Sequence, residues 1–253
     1  MSADRLGSTL KYLLEVRERR GAGYLTLLDP DRLSLTQLEE RAVMCAEAGA
    51  DAILVGTSLM LSTAKNASVF QRLREVVDMP VISFPGDAGQ VVPTADAIFF
   101  LSMISGRNPE LLIGQQVRAA PLLKEYGVEV ISTAYMLIES GSLTSTEYMS
   151  STRPMPCDKH DIAMAHALAA EFLGMKLIYL ETGSGAGVSV PDGLIRAVVD
   201  YITLPVVVGG GIRDAATARE KVEAGAGFVV TGTAVESDPG RLRDLSAAVH
   251  IRE

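Results

Sequence analysis

The chain has 253 residues, 48% apolar and 21% charged; that length suits a single closed α/β barrel, which commonly uses about 250 residues, and the balance excludes a disordered chain. Lys plus Arg total 23 against 31 for Asp plus Glu, a net charge of −8, which argues against a protein built to grip nucleic-acid backbone. The longest stretch free of charge, Ala52 to Ala64, falls well short of the ~20 apolar residues of a membrane span. With Asp4 and Arg5 followed by no apolar run and small-residue cleavage site, no secretory leader is expected. Cys45 and Cys157 make neither a disulfide framework nor a metal knuckle. A cytoplasmic protein without a nucleic-acid partner is expected.

Along the chain, short β-branched runs alternate with segments of helical period. A leading helix over Arg5 to Arg19 is placed to plug or flank the barrel bottom. Strands are predicted at Tyr24 to Leu28, Ala52 to Val55, Val81 to Phe84, Ala97 to Leu101, Glu129 to Thr133, Leu177 to Leu180, Val206 to Val208 and Phe228 to Val230. Several are apolar without alternation, as parallel strands covered on both faces are. Helices are predicted at Leu35 to Ala48, Glu110 to Tyr126, Asp158 to Leu173, Asp192 to Tyr201 and Ala215 to Ala224. Asp192 and Asp214 stand as N-caps, and Gly49, Gly127, Gly174 and Gly225 as C-terminal glycines. The third unit breaks the pattern: Pro85 to Pro93 is too interrupted by Pro and Gly for a covering helix, so a loop or short strand is expected. Ser, Thr and Pro crowd Gly141 to Pro156, which reads as a second long loop on the strand-end face. Eight alternations predict an α/β fold, a (β/α)8 TIM barrel with an irregular third βα unit and an extra N-terminal helix, as one domain over residues 1–253.

Chemistry in such a barrel gathers at the C-terminal ends of the strands. At strand one, Pro30 stops the ladder and leaves Asp29 at the mouth. Asp29 and Asp31 are either an ordinary turn and cap or, with a hydroxyl from Gly56-Thr57-Ser58 one strand away, part of a hard-cation site. Gly209-Gly210-Gly211-Ile212-Arg213-Asp214 and Thr231-Gly232-Thr233-Ala234 put small residues where backbone N–H groups approach an anion, after strands seven and eight where these barrels usually bind phosphate. In strand six, Tyr179 and Glu181 share one face by alternation, and a Glu in an apolar strand is costly unless paired or functional. The Gly183-Ser184-Gly185 turn adds N–H groups facing the same phosphate.

Together, Thr26-Leu27-Leu28-Asp29-Pro30-Asp31, Val55-Gly56-Thr57-Ser58, Ser105-Gly106-Arg107-Asn108-Pro109, Tyr179-Leu180-Glu181-Thr182-Gly183-Ser184-Gly185-Ala186, Gly209 to Arg213 and Thr231-Gly232-Thr233 resemble the geranylgeranylglyceryl phosphate synthase family and its bacterial heptaprenyl relatives. The resemblance runs from about Thr26 to Glu236. It implies an Mg2+-dependent prenyltransferase that joins a polyprenyl diphosphate, with geranylgeranyl diphosphate the expected donor, to sn-glycerol 1-phosphate through an ether. Diphosphate is released, and the product enters archaeal-type membrane lipid. The resemblance further implies Asp29 and Ser58 as Mg2+ ligands, and Tyr179 and Glu181 as the catalytic pair holding the glycerol hydroxyls, with Glu181 the candidate base. Gly183, Ser184, Gly185, Gly210, Gly211, Gly232 and Thr233 are then the phosphate cradle, and Leu180 and Thr182 belong to the same substrate-binding run. It also implies a homo-oligomer, in peripheral contact with membrane through its lipid product. The chain departs from the family at Thr57, where a second glycine is common, and at Leu27, where one branch has Lys. Glu110-Leu111-Leu112 stands where relatives often carry bulky aromatics; if those aromatics floor the prenyl groove, a chain length other than C20 is the alternative that a series of donors from C15 to C35 decides.

Two other readings stand beside this one: a relative acting on another phosphorylated three-carbon acceptor, and a phosphosugar aldolase or isomerase sharing the same phosphate site. Arg107, Asn108 and Lys159 are expected at the diphosphate because their loops top strands four and five. His160, His166, His250 and Cys45 are read as structural.

Overall fold

Each apolar run pairs in parallel with the next, and the last pairs with the first, so the sheet closes in sequence order. The computed structural model describes residues 7–57, 63–234 and 238–252. Its strands are β1 Gly23–Leu28, β2 Ala52–Val55, β3 Val81–Ser83, β4 Ala97–Ser102, β5 Glu129–Leu137, β6 Leu177–Glu181, β7 Val206–Gly209 and β8 Phe228–Thr231. The described helices are α1 Ser8–Arg20, α2 Leu35–Glu47, α3 Thr63–Val76, α4 Gln115–Tyr126, α5 Ser145–Ser150, α6 His160–Phe172, α7 Asp192–Tyr201, α8 Ala215–Glu223 and α9 Leu242–Val249. The fold is the expected (β/α)8 barrel.

Period-two alternation splits the buried side chains into two layers. Leu25, Leu54, Phe99, Tyr135, Tyr179, Val207 and Val230 fill the barrel interior. Ile53, Ile98, Ile178, Leu180, Val208 and Val229 face outwards against helix residues such as Leu38, Phe70, Leu194 and Val222. The bottom is plugged by α1, whose Leu10 and Leu13 join the inner layer; burying Leu13 contributes about 2 kcal/mol. Gly7 brings no capping side chain to α1, and the Glu129 carboxylate at the start of β5 does the task instead, accepting from the N–H groups of Thr9 and Leu10 at 2.7 and 2.9 Å.

All four predicted C-terminal glycines have positive φ, and Asp214 caps α8 by accepting from the Thr217 N–H at 2.8 Å. Asp192 is not a cap. It is the first residue of α7, after Pro191, and its carboxylate lies 2.5 Å from the buried Lys221 ammonium, joining α7 to α8. His250 is structural as read, its Nε2 lying 2.8 Å from Asp51 Oδ2 at the barrel bottom.

Three irregularities shape the mouth. Between β3 and β4 there is only a single 3-10 turn, Ala88–Gln90, so the third βα unit has no covering helix. Buried Gln90 holds this turn, accepting from the Gly86 N–H at 2.9 Å while its carbonyl accepts from Asn66 Nδ2 at 3.0 Å. The helix predicted from Glu110 opens as a π turn over Glu110–Gly114, which frees the Leu111 carbonyl to accept from the Met103 N–H at 3.0 Å. The expected loop of Gly141 to Pro156 contains α5. Thr144 caps it, its Oγ1 accepting from the Glu147 N–H at 3.3 Å.

Candidate active site

The C-terminal ends of β1, β6, β7 and β8 converge on a cavity of about 390 Å3, within the range of small-molecule sites. Its lining falls into two parts, one polar and one apolar. The polar one lies over the barrel axis and is bordered by Asp29, Tyr179, Glu181, Ser184, Gly185, Gly210, Gly211, Gly232 and Thr233. The apolar one continues over the outer face of β4, where the missing third helix leaves Ile98 and Phe100 opposite Val91 and Ala119 of α4. Met149 and Thr146 of α5 border it from above.

Alternation in β6 turns Tyr179 and Glu181 inwards, as expected. Glu181 is only 7% exposed, and its Oε1 accepts from the Gly183 N–H at 2.7 Å. Burial pushes the Glu181 carboxyl from 4.5 up to about 7, against the Gly183 N–H and the Tyr179 hydroxyl, which both favour the charged form. The Tyr179 ring stacks on Tyr135 at 5.4 Å between centroids and meets Phe84 at 5.2 Å. Burial, then the charge of Glu181, raises the Tyr179 hydroxyl well above the usual phenol range. The Tyr179 Oη lies beside the carboxylate without regular hydrogen-bond geometry, and it is buried without a hydrogen-bond partner, as is suitable for a group that receives a ligand hydroxyl. Gly209 permits this arrangement: a Cβ there would lie 2.5 Å from Tyr179 Oη and 2.6 Å from Glu181 Oε2.

Beside the carboxylate lies a set of backbone donors. The N–H groups of Ser184, Gly185, Gly210, Gly211, Gly232 and Thr233 make no hydrogen bond within the described residues. Such groups at strand ends and helix starts favour an anion. Leu180 sits in the outer apolar layer, and Thr182 and Gly183 lie behind the cavity wall rather than on it, Gly183 reaching the site through its N–H to Glu181.

At the other side of the polar part, Asp29 Oδ1 accepts from the Asp31 N–H at 2.9 Å and Oδ2 lies 3.3 Å from Arg32 Nε. Asp29 therefore makes the turn and faces the cavity as well. Thr57 Oγ1 donates to Asp31 Oδ2 at 3.0 Å, and Ser58, the expected second metal ligand, lies outside the described residues. Carboxylate and hydroxyl oxygens at a cavity edge are the donors a hard divalent cation takes, with water and phosphate supplying the rest. The residues present fit Mg2+. Among the described residues no group of three or more His, Cys, Asp and Glu gathers, here or elsewhere, so protein would supply only part of the coordination.

Arg107, Asn108 and Lys159 do not reach the cavity. Arg107 Nη1 donates to the Gly106 carbonyl at 2.7 Å and Nη2 turns to His166 at 3.4 Å; Asn108 accepts from the Glu110 N–H at 3.0 Å; Lys159 lies 3.7 Å from Asp158. Local ties satisfy all three. Among the described residues, the cations that do border the cavity are Arg32 and Arg213. Tyr135 also lines the cavity; a strand five that ends at Thr133 leaves it out, and alternation continued to Leu137, where the strand ends, turns it inwards.

The PcrB family model matches residues 14–249. A geranylgeranylglyceryl phosphate synthase of Chitinophaga pinensis is 43% identical over 90% of this chain and 90% of its own. One from Thermococcus kodakarensis is 43% identical over 92% of this chain and 91% of its own. The crystal structure of (S)-3-O-geranylgeranylglyceryl phosphate synthase from Thermoplasma acidophilum, in complex with sn-glycerol-1-phosphate, superposes with a TM-score of 0.91 at 30% identity, over 97% of this chain and 99% of that one. With the barrel, the buried Tyr179 and Glu181 and the strand-end cradle all in place, the chain belongs to the PcrB family, whose members include enzymes named geranylgeranylglyceryl phosphate synthase.

Proposed function

We propose that this chain transfers a prenyl group from a polyprenyl diphosphate, geranylgeranyl diphosphate by preference, to a hydroxyl of sn-glycerol 1-phosphate, forming an ether and releasing diphosphate in membrane ether-lipid synthesis. The observation that carries this reading is one cavity whose lining joins a buried carboxylate and backbone anion donors to an apolar wall. The names of the relatives and the ligand of the Thermoplasma structure support it. No lysine borders the cavity among the described residues, which disfavours a Schiff-base aldolase.

The roles of the residues follow from their chemistry. The cradle holds the glycerol phosphate through neutral N–H groups, so its position is set without a charged side chain bonded to each oxygen. Tyr179 and Glu181 then meet the glycerol hydroxyls. A base that titrates near neutrality is suited to take the proton of the attacking hydroxyl as the C–O bond forms, and Glu181 is in that range. The electron pair of the breaking allylic C–O bond leaves with the diphosphate. Asp29 and Ser58 would hold Mg2+, which would stabilise the charge that develops on the diphosphate oxygens. The wall of Phe84, Ile98, Phe100 and Ala119 takes the prenyl chain and keeps water from the reacting carbon.

Asp29→Asn is expected to remove Mg2+-stimulated turnover, by about 100-fold or more, while sn-glycerol 1-phosphate binding measured by calorimetry stays near wild type. Retained Mg2+ dependence would move the metal elsewhere. Homo-oligomerisation belongs to the same proposal and is supported by Phe172 and Leu173, 80% and 74% exposed at the end of α6. So do a cytoplasmic location and peripheral membrane contact through the product. No described helix is long and apolar enough to cross a membrane.

A further inference from the structure

The loop after β6 is rich in glycine, with Gly183, Gly185 and Gly187 within five residues, and an unrestrained loop of that composition loses much entropy when it binds. Something must hold it. Arg213, from the loop after β7, reaches across and donates from Nη2 to the Ala186 carbonyl at 3.0 Å and to the Gly185 carbonyl at 3.4 Å. The peptide unit is planar and trans, so fixing the Gly185 carbonyl turns the Ala186 N–H the opposite way. That N–H donates to the Gly183 carbonyl at 3.1 Å and closes the turn. The N–H groups of Ser184 and Gly185 are the ones left unpartnered at the cavity.

Arg213 is itself held. Its backbone carbonyl accepts from Arg241 Nη1 at 3.1 Å, and Arg241 Nε lies 3.0 Å from Asp238 Oδ2. Of the cations that border the cavity among the described residues, Arg32 lies against Asp29 at the other side. Arg213 is the cation at the phosphate end.

We propose that Arg213 is a positioning residue for the phosphorylated acceptor: its guanidinium clamps the Gly185 and Ala186 carbonyls and so presents the Ser184 and Gly185 N–H groups to the phosphate. The inference rests on the glycerol phosphate reading of this site and adds a residue to it. Both bonds leave one nitrogen, Nη2, so the clamp depends on where that nitrogen is held; a lysine keeps the charge on a shorter side chain with no planar group to fix its direction.

The test compares wild type, Arg213→Ala and Arg213→Lys for binding of inorganic phosphate and of sn-glycerol 1-phosphate by calorimetry, with kinetics for both substrates. Losing hydrogen bonds from a charged donor weakens binding by roughly tenfold or more. Arg213→Ala should show that loss for both probes, with KM for glycerol phosphate raised, and kcat and the KM for prenyl diphosphate changed by less. Arg213→Lys should recover only part of it. Unchanged phosphate binding in Arg213→Ala, or full recovery in Arg213→Lys, overturns the clamp. Wild type that binds phosphate but not glycerol phosphate, with Arg213→Ala binding phosphate more weakly, overturns the acceptor assignment and supports the clamp. Wild type that binds neither overturns both.

Discussion

Glu181→Gln should lower turnover by about 10²- to 10⁴-fold, the usual contribution of a positioned base, and at the same time make the protein more stable at alkaline pH. Both effects come from one cause. Burial raises the carboxyl from 4.5 to about 7, so the folded chain holds this proton more tightly than the unfolded chain does. Wild type therefore has the full contribution of the protonated group below pH ~4.5 and loses it as pH rises through about 7. The difference corresponds to about 3 kcal/mol. Glutamine keeps the acceptor for the Gly183 N–H and never ionises, so urea unfolding should find the variant more stable than wild type at pH 8 and equal to it near pH 4. Wild-type turnover should rise with pH through a limb near 7, and this limb should vanish in the variant. A variant that kept wild-type turnover would remove Glu181 from the chemistry.

Gly210→Ala should strongly weaken acceptor binding without touching the apolar part of the cavity. Gly210 has φ +81, a conformation that costs an alanine about 1–2 kcal/mol. A Cβ there would also collide with Glu181 Oε1 and Thr182 Oγ1 and lie 2.9 Å from the Thr182 backbone nitrogen. The carboxylate must move, and the cradle fills. KM for sn-glycerol 1-phosphate is expected to rise about 100-fold or more, since backbone cannot give way as a flexible side chain does, while KM for the donor stays near wild type. Gly127→Ala is the control, because Gly127 has φ +69 with nothing within 4 Å of its Cβ. It should show a similar fall of a few degrees in Tm and unchanged kinetics. Equal loss in both variants would trace the effect to backbone strain alone.

The parts of this protein that were legible in its sequence are those set by near neighbours in the chain. Apolar runs ending in small residues marked the eight strands, glycines marked the ends of four helices, and Pro85 to Pro93 announced that the third unit has no helix. Alternation alone turned Tyr179 and Glu181 inwards. Local signals failed where a distant group decides the outcome. The strand β5 runs on to Leu137 because β6 pairs with it as far as Glu181, α5 is hidden in a Ser- and Thr-rich stretch that reads as loop, and Asp192 turns to Lys221 of a neighbouring helix. The same holds in the site. Position above a strand suggested Arg107 and Lys159 for the diphosphate, but carbonyl, carboxylate and imidazole groups close at hand satisfy them, whereas Arg213 acts through carbonyls that only barrel closure brings beside it. Net charge of −8 is compatible with the two anionic substrates proposed, because the strand-end cradle proposed for the phosphate is built largely of uncharged donors.

The most direct measurement is incubation of the purified protein with Mg2+, sn-glycerol 1-phosphate and each of a series of prenyl diphosphates from C15 to C35, with product followed by mass spectrometry and diphosphate by a coupled assay. A prenylglyceryl phosphate ether and diphosphate in equal amounts are expected, with C20 the preferred donor. No ether product with any donor length, from protein that binds sn-glycerol 1-phosphate, would contradict the assignment of this cavity to prenyl transfer.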